Sequence, residues 1–129
     1  MDKLEYIPRD LVSVYVGIKK YIVEVIGTEN ENEVLSYQIK FPNGEIQYAD
    51  KDNIVPIPLT PEILEKNGWE SINGKYALKI KNANYVVLEF TEDGIYAYIN
   101  EKTMLFTIKY IHELQHLLFG FGINHEMDV

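Results

Sequence analysis

His112-Glu113-Leu114-Gln115-His116 places two imidazoles four residues apart, with a carboxylate beside the first. On a helix such residues stand one turn above each other, so both rings can reach one metal ion while Glu113 takes a proton from its bound water. That is the chemistry of a zinc-dependent peptidase, and the H-E-x-x-H spacing is its shortest signature. A catalytic zinc also needs a third protein ligand and an open position for water. His125 and Glu126 are the nearest candidates, but they follow Gly120 and Gly122 in a chain end expected to fray. The longer form of the motif is absent: Phe119 stands where it has glycine and Gly122 where it has histidine. The motif also opens at the expected start of its helix, where metal-binding helices of this class carry it further in.

At 100° per residue, Ile111, Leu114, Leu117, Leu118 and Phe121 fall on one arc, and His112, Gln115, His116 and Phe119 on the opposite one. The first arc is the expected core face. Solvent alone does not select a phenylalanine for the second, so His112, Gln115, His116 and Phe119 are expected to form a partner-binding face. Other constellations carry less. Ser13, Ser36 and Ser71 lack a nucleophile-elbow context. Glu29, Glu31 and Glu33 lack the spacing and central glycine of a calcium loop. Tyr76, Tyr85, Tyr96 and Tyr98 could stack bases, but they read better as core and sheet surface in a chain this acidic.

The 129 residues carry a formal charge of −8 and no basic run longer than Lys19-Lys20, which disfavours a nucleic-acid partner. With no cysteine, disulfides, thiolate metal sites and thiol catalysis are excluded. Met1 to Glu5 lacks the apolar stretch of a secretion signal, and no apolar run reaches membrane-spanning length. The expectation is a cytoplasmic protein without a membrane partner.

Ten tyrosines, five phenylalanines and many β-branched residues favour sheet. Leu11–Val16, Tyr21–Ile26, Val34–Phe41, Glu45–Ala49 and Ile54–Ile57 read as five short strands, with Thr28 to Glu33 a solvated connection and Asn43-Gly44 a tight hairpin turn. Together they predict a small antiparallel, SH3-like barrel module over residues 1–58. Thr60-Pro61-Glu62 starts a short helix that Gly68 ends. Strand patterns then run from Trp69 to Lys109, with Asn73-Gly74, Asn82 to Asn84, Glu92 to Gly94 and Asn100 to Lys102 as turns. A helix from Tyr110 to Phe119 or Phe121 closes the chain. Residues 59–129 are therefore expected as helix, four-stranded antiparallel meander and helix, and the whole as an α+β protein.

Two stretches are also familiar as sequence. Pro56-Ile57-Pro58-Leu59-Thr60 through Gly68-Trp69-Glu70 resembles a P-I-P-L-T, helix, G-F-E segment of small proteins from Bacteroidetes genomes, their prophages and phages. Ile108 to Phe119 resembles that family's closing Y-V-H-E-L-Q-N-L-Y-F helix, with His116 where the family more often has asparagine. Pro8-Arg9-Asp10-Leu11-Val12 is only a loose echo of its opening R-I-G-N segment. The resemblance implies a mobile-element origin and no particular activity; asparagine at the second histidine would make metal hydrolysis foreign to the family. The leading expectation is thus a phage- or prophage-type accessory protein acting by protein–protein binding or self-association, without catalysis or cofactor, in the host cytoplasm or a virion. One alternative is a zinc peptidase with His112, His116 and His125 or Glu126 as ligands and Glu113 as base. The other is an acidic mimic of nucleic acid that blocks a basic host protein.

Overall fold

The computed structural model of the chain describes residues 6–31, 34–80, 84–100, 103–123 and 125–129, without the side chains of residues 30, 31, 34 and 103–106. Met1 to Glu5, on which the leader reading rests, lie outside the described residues, as do most of the turns expected at 82–84 and 100–102. Two antiparallel five-stranded sheets and two α-helices make this an α+β protein. The chain forms two compact units, Met1–Ile57 and Pro58–Val129.

In the first unit β1 (Leu11–Val16), β2 (Lys19–Glu31), β3 (Val34–Lys40), β4 (Ile46–Asp50) and β5 (Ile54–Pro56) lie side by side in the order β4-β3-β2-β1-β5. Alternation puts Val12, Val14, Val23, Val25, Tyr37 and Ile39 inside, joined by Tyr6, Phe41 and Ile54. Only the 3₁₀ turn Lys51–Asn53 separates the two edge strands in sequence, so the sheet curls to bring its edges toward each other. It does not close into the expected barrel: among the described residues β4 pairs only with β3, and β5 only with Val12–Val14 of β1. β5 has three residues and ends on Pro56, which has no N–H to extend a ladder.

The polar run after Gly27, expected as a connection, is instead strand as far as Glu31. Thr28, Glu29, Asn30 and Glu31 pair with Tyr37, Ser36, Leu35 and Val34, beyond a register shift between Val25 and Gly27. Backbone pairing with an established neighbour overrides the weak strand preference of these residues. The hairpin at Phe41–Glu45 uses three loop residues, with Gly44 at φ +91° and Asn43 Oδ1 accepting from Glu45 N at 2.9 Å.

The second unit begins with α1 (Pro61–Lys66), whose first turn is capped as expected by Thr60 Oγ1, accepting from Ile63 N. Gly68, at φ +84°, ends it, and Trp69 N reaches back to the Leu64 carbonyl. The sheet that follows has five strands rather than four: β6 (Glu70–Ile72), β7 (Lys75–Lys79), β8 (Tyr85–Thr91), β9 (Gly94–Ile99) and β10 (Thr103–Ile108), paired in sequence order. β6 is three exposed residues with no apolar alternation; it joins because Asn73 and Gly74, both at positive φ, form the tight turn to β7. By register Tyr85, Tyr96 and Tyr98 share one face of this sheet and Tyr76 lies on the other, edge-on to Phe90 at 5.9 Å. The four tyrosines therefore make no common platform. The unit closes with α2 (Ile111–Gly120).

Gly94 sits at φ +133°, and a Cβ there would come within 2.8 Å of Thr107 Cγ2 on β10. Gly94→Ala is expected to destabilise the second unit by about 1–3 kcal/mol, read as a lower midpoint in urea unfolding at unchanged m. An unchanged midpoint would contradict the strain at this turn.

Candidate functional site

The H-E-x-x-H residues lie at the start of α2, and that position decides what Glu113 does. The first N–H groups of a helix have no partner within it. Glu113 Oε1 accepts from Lys109 N at 2.9 Å and Tyr110 N at 3.0 Å, just ahead of the helix, while Glu113 N donates to the Tyr110 carbonyl. This is the returning half of a capping box. The same two residues carry a second tie: Pro58 forms a bridge with Tyr110, and Leu59 N donates to the Lys109 carbonyl at 3.0 Å. The starts of α1 and α2 are thus fastened side by side.

Ile111, Leu114, Leu117 and Leu118 are buried, as their arc requires, whereas Phe121 caps the helix and is exposed. The opposite arc departs from the expected contact face. His112 is 5% exposed and Gln115 fully buried, His116 is half-buried, and only Phe119, at 58%, stands out. For Gln115 and Phe119 the reason lies in the segment after the helix, while the His112 ring packs between those of Tyr110 and His116. Gly122, at φ +70°, and Ile123 fold back, Ile123 N reaching the Leu118 carbonyl. Gln115 Nε2 then donates to the His125 carbonyl at 2.9 Å, and the His125 ring meets Phe119 edge-on at 5.1 Å.

Further along, Asp128 N donates to Asn67 Oδ1, Asn67 Nδ2 donates to the Asp128 carbonyl, and Lys66 Nζ donates to the Val129 backbone oxygen, all at 2.8–2.9 Å. The segment expected to fray is held at both ends, along α2 and at the end of α1. A helical wheel reports which way a side chain points but not which later stretch of chain lies over it. Neither Lys66 nor Asn67 gave any signal of this role beyond their place before Gly68.

The two histidines do come together. Their rings are 5.6 Å apart and edge-to-face, and the His112 ring stacks on Tyr110 at 5.9 Å with planes 13° apart. The third ring expected at a metal, His125, contacts Phe119, and Glu126 is exposed. Among the described residues no group of three or more His, Asp or Glu is arranged to hold a metal ion. Glu113 Oε1 accepts two backbone N–H groups, which turns the carboxylate toward the start of its own helix.

The first unit presents a surface that the sequence reading did not single out. Tyr15, Val16, Ile18, Tyr21, Ile22, Ile46 and Tyr48 are all exposed large apolar side chains, Ile18 at 99%. All but Ile18 lie in stretches read as strands, and alternation alone does not say which face a neighbouring layer covers. Comparison with protein-family models, curated proteins and solved structures gave no match to this chain.

Capping and catalysis make different demands on Glu113. Glutamine at this position still accepts from both amides, so Glu113→Gln is expected to keep the stability of the native chain, while Glu113→Ala lowers it by about 1 kcal/mol in chemical unfolding. Equal losses in both variants would show that the carboxylate charge, not the cap, is what matters. Asn67→Ala is expected to speed amide hydrogen exchange at 125–129 while leaving exchange in β8 and β9 unchanged.

Proposed function

We propose that this chain is an accessory protein of phage or prophage type that works by binding another protein, without catalysis. The observation that carries this reading is the apolar surface of the first unit. Seven large apolar side chains stand exposed on a unit of under sixty residues, four of them (Tyr15, Ile22, Ile46 and Tyr48) on one sheet face by register, and exposed apolar surface marks interaction sites on proteins that otherwise bury it. Strand order supports an SH3-like reading of that unit, because a short 3₁₀ turn links the two edge strands of one curled five-stranded sheet. The charge of −8 weighs against nucleic acid as the partner. No described helix is long and apolar enough to cross a membrane, and a cytoplasmic site of action fits this reading. On α2, Phe119 is the exposed member of the expected contact face; His112 and Gln115 serve the chain's own packing.

The mobile-element origin rests on the two resembling stretches, which form one fastened pair of helix starts through Pro58, Leu59, Lys109 and Tyr110. The zinc peptidase remains the second reading, favoured by the 5.6 Å approach of the His112 and His116 rings. The capping bonds of Glu113 and the Phe119 contact of His125 weigh against it.

Two measurements separate these readings. Cross-linking in host extract followed by purification is expected to recover a specific protein partner or a self-associated form; a chain that stays alone would overturn the binding reading. Metal analysis of protein purified without an affinity tag is expected to find less than stoichiometric zinc. Stoichiometric zinc that disappears in His116→Asn would install the peptidase reading instead.

A further inference from the structure

A cavity of about 260 Å³ opens in the first unit where the curled sheet fails to close. Its lining identifies its shape. Gln47, Tyr48, Ala49 and Asp50 line one side and Val14, Tyr15 and Val16 the other, each an unbroken run of sequence. Side chains of a strand alternate between faces, so a cavity on a sheet face touches every second residue. Consecutive residues on both sides mean that both walls are strand edges. β4 is the edge strand of its sheet, and Tyr15 and Val16 extend beyond the three residues of β1 that pair with β5. Ile39 and Phe41, both buried, also line the cavity; Tyr15 and Tyr48, both exposed residues, belong to opposite walls, with Tyr48 Oη accepting from Gln38 Nε2 at 3.1 Å.

The geometry points to this slot as the docking site for an extended segment of a partner protein, which adds a strand to β4, seats an apolar side chain toward Ile39 and Phe41, and sets a basic side chain against Asp50. The proposal rests on the protein-binding reading and names its site and the chemistry of its partner. Each part of the partner follows from the slot. An edge strand presents N–H and C=O groups that only another extended backbone satisfies in register. Proteins commonly blunt such edges with lysine, proline or an inward charge, and β4, Ile46-Gln47-Tyr48-Ala49-Asp50, carries none of these toward the slot except the carboxylate at its end.

Asp50 is the one charged residue lining the slot, in a chain of net charge −8, so a basic partner residue is complementary there. Lys20 is accounted for, its Nζ lying 6.0 Å from the Tyr15 ring.

The test uses the full chain and a synthetic nonapeptide of alternating valine and threonine with a lysine at each end. Two comparison peptides differ from it: one is N-methylated at every second amide, and one has glutamates for the lysines. Backbone amide shifts are expected to concentrate at Gln47–Asp50 and Val14–Val16, with slowed hydrogen exchange along β4. The N-methylated peptide is expected to bind at least about tenfold more weakly, because the added strand loses its ladder bonds. Asp50→Lys, an exposed position, is expected to reverse the preference between the lysine and glutamate peptides. Shifts located elsewhere, no shifts at millimolar peptide, or equal binding of the N-methylated peptide would each overturn the proposal. So would sedimentation showing a dimer that Tyr48→Ser dissociates, since a second copy would then fill the slot. A cross-linked partner whose binding survives Asp50→Lys together with Tyr48→Ser would sink the slot while leaving the protein-binding reading standing.

Discussion

Two backbone amides ahead of α2, those of Lys109 and Tyr110, fix the orientation of the Glu113 side chain and, through it, the meaning of the whole histidine segment. Helix starts require acceptors, and a glutamate at the third helical position supplies one from within. Because the same two residues also bond Pro58 and Leu59, the carboxylate sits at a junction that sets where both helices of the second unit begin. A short catalytic signature and a helix cap can share the letters H-E-x-x-H. Which one is present depends on the location of the glutamate along the helix.

The two units manage their surfaces differently. In the second, His125 returns to the polar arc of α2, so that Gln115 is buried with a backbone carbonyl as its partner. In the first, a short proline-ended β5 leaves the curled sheet open, and three tyrosines, three isoleucines and Val16 remain exposed. Exposed large apolar side chains are therefore more numerous in the unit whose sheet stays open.

Strand positions were legible because period-two alternation and turn chemistry act locally. Leu11–Val16 and Tyr85–Thr91 are strands with the expected bounds, and Thr60, Pro61 and Gly68 delimit α1 through capping and positive φ. The extension of β2 through Thr28–Glu31 depends on a neighbouring strand, which sequence does not display, whereas the stretch before Asn73-Gly74 belonged to the strand pattern but not to the expected count of four. Burial of Gln115 was misjudged for a related reason: a wheel of the helix omits the stretch whose His125 carbonyl returns to it. Glu113 was legible as a functional carboxylate but not as a cap, since its two donors precede the motif that drew attention.

The Asn67–Asp128 clasp joins positions 61 residues apart, whereas the hairpins of the sheet close loops of a few residues. Loop-closure entropy makes such a contact late to form, and its solvent-exposed hydrogen bonds make it early to release. The sheet can thus persist while the last residues peel away, and Gln115 then meets water for as long as the clasp is undone. Slow amide exchange should accordingly divide the second unit into a durable meander and a short-lived cover, with the histidine pair at the boundary between these two lifetimes.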